Sequence, residues 1–419
     1  MDASTIGLIA FAAVLILLAL RVPIAFALAS VATIATFFNL IHSYDLSMIP
    51  LFVALGHIAY RADITTKIYH AAKVWLTRLP GGVAMASVMG CGGFSAITGS
   101  SIACASTMGK ICTPEMLRMG YDPRLATASV AAGGTLGSLI PPSVLFIIYG
   151  IFTETSISSL FLAGVLPGLL TLAGFILVIA VWVWRSPEIA PSTATRYSAK
   201  ERFAAAAESW PAVMLFVLII GGIYGGIFTA TEAAAVCVVA ATLIGFAQRK
   251  LTLQGLWDAV KETCIQTAAI FFIAAGAKIF VAFIALTNVA PMIVNVVAEA
   301  ELSVVVLLLA IAAIYLLLGM FLDPIGIMVL TLPLMIPLVE SYDMNLIWFG
   351  VVVIKLLEIG LITPPVGLNV FVIANVVGKE APIDKIFAGI TRFLSVDVIV
   401  LVLIMSFPMI SLLIPMAAR

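Results

Sequence analysis

Two double prolines mark the places where this sequence could do chemistry. In "GTLGSLIPPS" (134–143) and "EIGLITPPVG" (358–367) a Pro-Pro pair interrupts a long apolar run. Proline lacks a backbone donor and clashes with the turn before it. Pro141-Pro142 and Pro364-Pro365 therefore free carbonyl oxygens in the residues just ahead. Gly137 and Gly360, without side chains, allow an unwound chain and the close approach of another backbone. Free carbonyls, the negative end of a half-helix and the Thr363 hydroxyl form a hard-oxygen set suited to Na+. The positive end of an opposing half-helix suits an anion. The segments "SAITGSS" (95–101) and "GMFLDP" (319–324) could supply the rest of two such sites. A single Pro-Pro would read equally well as a kink; two at matching positions favour ion sites.

Other chemistries fit poorly. "ACASTMGKIC" contains Gly109-Lys110, but Ile111 follows and the earlier glycine of a phosphate-binding loop is missing. Ser100 and Ser101 have no His or Lys at a suggestive helical position, and all three His precede residue 71. The five Cys form neither a disulfide framework nor a metal-ligand spacing. The expectation is a protein that is not an enzyme and carries no organic cofactor.

The elements that must position these residues follow from hydropathy. Hydrophobic residues make up 63% of the chain, charged residues 10%, and the mean hydropathy is +1.22. Such a chain is an all-α polytopic membrane protein. The net charge of zero says nothing about partners, and no nucleic-acid partner is expected. Asp2 and the lack of any basic residue before Arg21 predict a retained first span. Apolar runs long enough to cross lie near 5–20, 22–41, 46–60, 124–150, 160–184, 212–228, 230–247, 264–287, 346–376 and 390–417. One set of connecting segments holds nearly all the Lys and Arg, whereas "HSYDLS", "FTETSISS", "TNVAPMIVNVVAEAE" and "ESYDMN" hold none. The positive-inside rule then puts both termini in the periplasm, with about ten crossings.

That topology requires 81–113 and 302–338 to enter and leave on one side, the first from the cytoplasm and the second from outside. Non-helical backbone at such depth is tolerated only inside protein or along a cavity. Tyr121-Asp122 and Tyr342-Asp343 each follow one of these hairpins, and each precedes a Pro-Pro by about twenty residues. The first repeat covers 1–185: scaffold spans 5–60, arm helix 61–79, hairpin 81–113, broken helix 124–150 and span 160–184. A cytoplasmic linker covers 186–211. The second repeat covers 212–419: spans 212–287, arm helix 288–301, hairpin 302–338, broken helix 346–376 and span 390–417. Five crossings per half turn the second half upside down, the inverted-repeat plan of secondary transporters.

Ionisable residues inside apolar spans are costly and usually functional. Lys355 and Glu358 lie one turn apart, which allows a local pair, and structural pairing or snorkelling toward the outer surface is the favoured reading for Lys355. Lys278 is open between substrate recognition and contact with a partner subunit. Asp323 could bind a cation or cap a half-helix, Glu232 reads as a cap, and His57 as an interfacial histidine.

The long segment "GGFSAITGSSIACASTMGKICTPEMLRMGYDPRLATASVAAGGTLGSLIPPSVLFIIYG" and "EIGLITPPVGLNVFVIANVVG" resemble the large membrane subunit of tripartite ATP-independent periplasmic (TRAP) transporters. "GIFTATEAAAV" and "LPGLL" fit the same pattern, and the resemblance spans nearly the whole chain. It implies an elevator-type secondary transporter of the bacterial inner membrane, coupled to Na+ and moving an organic acid. It further implies a periplasmic substrate-binding protein and a small membrane subunit, here a separate chain. Carried onto this sequence, the first Na+ site involves Ser100, Ser101, Gly137 and Ile140. The second involves Gly319, Gly360, Thr363 and Val366, with substrate near Thr98, Gly99, Asp323 and Pro324. A stand-alone Na+/dicarboxylate symporter and a passive channel are the alternatives.

Overall fold

The computed structural model describes residues 3–41, 43–191 and 197–418, and among them there is helix and no strand. Part of the expected linker, 192–196, lies outside the described residues, as do Asp2 and Arg419. The first half opens with α1 (Ala3–Ala19), α2 (Ile24–Ile41), α3 (Met48–Arg61) and the arm α4 (Ile64–Leu76). A helical hairpin follows, α5 (Gly82–Thr98) and α6 (Ser101–Arg118). Next come α7 (Pro123–Gly134), α8 (Leu136–Leu139), α9 (Val144–Thr153) and the long α10 (Ile157–Arg185). The middle of the chain holds α11 (Ala199–Glu208), α12 (Trp210–Phe216) and α13 (Gly222–Tyr224).

The second half repeats the order. After α14 (Ala230–Ala247) and α15 (Leu253–Leu286) come the arm α16 (Val289–Glu299) and a hairpin, α17 (Val304–Gly319) with α18 (Pro324–Ser341). The interrupted pair α19 (Leu346–Gly360) and α20 (Leu368–Val377) follows, then α21 (Ile383–Ser406) and α22 (Met409–Ala417). Polar caps fix where these apolar helices begin, because the first N–H groups of a helix have no partner within it. Asp122, Ser143, Ser303, Asp323 and Asn345 cap the helices nearest the two breaks. Thr229 and Glu232 form a reciprocal capping box at α14, as expected for Glu232.

Three expectations need correction. The 186–211 stretch is more than a linker, since α11 within it packs on the arm α4, with Phe203 edge-on to Trp75 at 5.9 Å. The last expected span, 390–417, begins earlier and divides at Phe407-Pro408 into α21 and α22. The stretch 212–228 is irregular, passing through a π-helical turn at Val217–Gly221.

Buried side chains form two cores, and both broken helices pass from one to the other. The first core gathers the α5–α6 hairpin with α7 and α20. The second joins α17, α18, α19 and α9 to α3, α14 and α15. Each hairpin thus packs on the proximal half of its own broken helix and the distal half of the other's. Both interruptions fall where the chain changes cores, in the middle of the molecule. Residues 123–153 are 89% buried over their apolar window, so this broken helix lies inside protein.

Candidate functional site

The first hairpin ends at Gly99-Ser100, directly against the first break. The Gly99 carbonyl accepts from the Val144 N–H at 3.1 Å, joining the tip to the start of α9. On the other side of the break, a Cβ on Gly137 would stand 2.6 Å from the Ser101 nitrogen and 2.7 Å from the Ser100 carbonyl oxygen. Only glycine permits that approach, as expected from the sequence. Ser100 caps α6 by accepting from the Ala103 N–H at 3.4 Å. Ser101 is buried, with its hydroxyl 2.9 Å from that of Ser138. Ile140 closes α8, its N–H donating to the Leu136 carbonyl, and its side chain packs against Gly168. Pro141 and Pro142 are buried and joined by a cis peptide bond.

The second junction has the same plan. The α17–α18 tip meets the second break through Gly319 and Gly360, where a Cβ on Gly360 would lie 2.7 Å from the Gly319 Cα. Thr363 and Val366 follow in the irregular stretch between α19 and α20. The Thr363 hydroxyl donates to the Ile359 carbonyl at 2.6 Å, which leaves its oxygen able to accept a cation. Pro364-Pro365 is also cis, but both prolines are exposed, unlike the first pair. At the tip, the Asp323 carboxylate accepts from the Ile325 and Gly326 N–H groups at 3.0 Å, so the cap reading holds for it.

Both tips open on one cavity of about 390 Å³. Ser100, Ser101 and Ser138 line it from one side, Asp323 and Pro324 from the other, and Gln266 of α15 from a third. Gly99 also lines it. Thr98 does not: it is buried, its hydroxyl bonded to the Phe94 carbonyl at 3.2 Å and its methyl set against Gly56 of α3. The tip turns at Gly99, so Thr98 points back along α5 and packs rather than binds.

The polar residues inside the helices are arranged differently from the local pairing expected. Lys355 is structurally paired, as favoured, but with a residue of another helix rather than with Glu358, and it does not snorkel. It is 1% exposed and bonds to Asp397 of α21 at 2.5 Å and to the Thr171 hydroxyl at 3.1 Å. Glu358 reaches instead into the first junction, its Oε1 accepting from Ser101 Oγ at 2.6 Å. Asn369, buried at the start of α20, was not singled out by sequence; its amide faces the Ala131 carbonyl at 3.5 Å. Lys278 is exposed on α15. His57 lies at the rim, 3.1 Å from Glu262 and from Gln266.

Two hairpin tips meeting two interrupted helices around a central cavity, in an all-helical apolar chain, define a multi-pass membrane transport protein. The chain belongs to the tripartite ATP-independent periplasmic transporter family, DctM component, which matches residues 4–410. It is 33% identical over 373 residues to the C4-dicarboxylate TRAP transporter large permease protein DctM of Pseudomonas aeruginosa, covering 89% of this chain and 86% of that one. It is 32% identical over 376 residues to the sialic acid TRAP transporter large permease protein SiaM of Vibrio cholerae, covering 90% and 87%. Its fold is similar to that of the Alcanivorax borkumensis YdaH transporter, with a TM-score of 0.65 at 15% identity over 90% of this chain and 87% of that one.

Proposed function

We propose that this chain is the Na+-coupled transport subunit of a three-part importer that brings an organic acid across the bacterial inner membrane. The observation that carries the reading is the pair of tip–break junctions facing one cavity. Each junction offers what a small hard cation requires: carbonyls freed by Pro-Pro, a glycine that lets two backbones approach, and nearby hydroxyls. Ser100, Ser101, Gly137 and Ile140 form the first Na+ position; Gly319, Gly360, Thr363 and Val366 form the second. The acid lies between the tips against Gly99, Asp323 and Pro324. No Lys or Arg lines the cavity, so the bound cations and the free N–H groups at the start of α6 balance the carboxylate.

The halves are inverted repeats with about ten crossings, two opposed re-entrant hairpins and both termini in the periplasm. The hairpins and broken helices slide together as an elevator past a scaffold of flanking spans. The relatives named for C4-dicarboxylate and sialic acid support a carboxylate substrate. A periplasmic substrate-binding protein delivers it, and a small membrane subunit braces the scaffold. The test is uptake of labelled dicarboxylates and sugar acids by membrane vesicles containing all three chains. Accumulation above the outside concentration, only with an inward Na+ gradient, is expected. Flux that merely equilibrates without Na+ would establish a channel and overturn the reading.

A further inference from the structure

A second cavity, of about 570 Å³, lies between the arm α4 and the first hairpin. Ala72 and Trp75 of α4 line one side of it and Ala96 of α5 another. It reaches Ile140 at the first break, and Ala206 of α11 and Phe216 of α12 line it as well. Its few polar groups are already engaged. The Ser209 hydroxyl donates to the Ala206 carbonyl at 2.7 Å, and the Trp75 Nε1–H donates to the Arg202 carbonyl at 3.1 Å. Every other side chain on its walls is apolar. Water finds no partner in such a space, and protein interiors seldom leave a void of this size.

The rim has the opposite character. Arg78 follows Trp75 by three residues, and Arg202 precedes Ala206 by one helical turn. The Arg202 guanidinium stands 5.9 Å from the Trp75 ring centroid, and its Nε is buried without a hydrogen-bond partner. Arg78 donates to the Tyr197 carbonyl at 3.3 Å. Neither arginine has a carboxylate partner among the described residues. The acids of the packed elements are used elsewhere or face away. Glu201 closes the capping box with Ser198, Glu115 pairs with Lys73, and Glu208 is exposed at the last position of α11.

Trp75 and Trp210, 45% and 50% exposed, stand beside this rim. Half-exposed tryptophans gather where a bilayer meets water, at headgroup level. Basic pockets on the cytoplasmic side of a membrane protein suit anionic headgroups, and a guanidinium fork matches a phosphate. An apolar slot below two arginines that lack acids thus fits one molecule with both parts, a charged head and a long tail.

We propose that this cavity binds one anionic phospholipid of the cytoplasmic leaflet, with its phosphate on Arg78 and Arg202 and one acyl chain directed toward Ile140. The choice of leaflet rests on the proposed topology; the site itself requires neither Na+ nor the transported acid. The acyl chain fills the space between arm and hairpin, two elements that the proposed elevator movement displaces against each other.

The test is native mass spectrometry of the purified full chain titrated with phosphatidylglycerol or with phosphatidylcholine of identical acyl chains. One phosphatidylglycerol should be retained, with about tenfold preference over phosphatidylcholine. R78Q/R202Q should bring the two lipids to equal retention, and A72F, which fills the cavity, should weaken both. Tryptophan fluorescence decides the matter if those variants do not fold. At one lipid per chain, phosphatidylglycerol brominated along its acyl chains should quench the wild type more than W75F, whereas brominated phosphatidylcholine should quench both alike. Equal retention of the two lipids by the wild type, a preference that survives R78Q/R202Q, or retention indifferent to A72F would overturn the inference. Equal quenching of the wild type and W75F by the brominated phosphatidylglycerol would do so too. Displacement of the lipid when the small membrane subunit is added would assign the cavity to a helix of that subunit and overturn it as well. Each of these results leaves Na+-coupled import, judged by uptake, standing.

Discussion

At the scale of single residues, the buried ion pair gives the sharpest prediction. Replacing Asp397 by Asn strands the Lys355 ammonium inside the protein, and breaking such a pair costs about 3–5 kcal/mol. A marked fall in the thermal unfolding midpoint of the nanodisc-embedded chain is expected. Replacing both partners by apolar residues of similar size should recover most of it. Thr363→Ala removes one candidate oxygen, and an interaction worth about 1–2 kcal/mol predicts a roughly ten-fold rise in the Na+ concentration for half-maximal uptake. Unchanged Na+ dependence would remove Thr363 from the site. The close backbone approach at both glycines was legible because Pro-Pro chemistry acts on its own neighbours. Sequence reading missed the partners of Lys355 and Glu358, Asp397 and Ser101, because they come from other helices, and no local pattern announces a contact across 257 residues. Thr98 was misplaced for a related reason: one residue of turn decides whether a tip side chain faces the cavity or the core.

At the scale of elements, each junction depends on backbones touching. Gly360→Ala would put a methyl 2.7 Å from the Gly319 Cα, and overpacking of this kind costs about 1–3 kcal/mol. Strongly reduced uptake is expected while size-exclusion chromatography still shows a folded chain; normal uptake would mean that this approach is dispensable. The helix leading into the first break starts at Asp122, which accepts from the Arg124 N–H at 2.7 Å and pairs with its guanidinium. Those interactions with Arg124 hold the Asp122 carboxyl below the ordinary carboxylate range. Its stabilisation is therefore complete at neutral pH and lost only as pH falls through that lowered value. Asp122→Ala should cost about 1 kcal/mol at neutral pH and much less in strong acid, as thermal unfolding at two pH values would reveal. The arms, hairpins and broken helices were all legible from apolar runs punctuated by Gly and Pro. The helix α11 was not, because its apolar face is short and it acquires a purpose only against Trp75 of α4.

At the scale of the whole molecule, the organising feature is the exchange of half-helices between two cores. Each hairpin holds the distal half of the other repeat's broken helix, so neither junction can shift without the other. Under the proposed function, this tie would make the hairpins and broken helices one moving body, with Gln266 of α15 lining the cavity beside it. The repeat in the sequence foretold two junctions, but not that the cores are interleaved, since interleaving depends on where the distal halves land. The central claim is that cation and acid cross together in this body. The direct measurement is radioactive sodium entry into proteoliposomes holding the chain and its small subunit, before and after adding the loaded binding protein. The account predicts that Na+ entry begins on that addition and is abolished by Gly360→Ala. Sodium entry indifferent to the acid, or acid uptake without sodium entry, would contradict it.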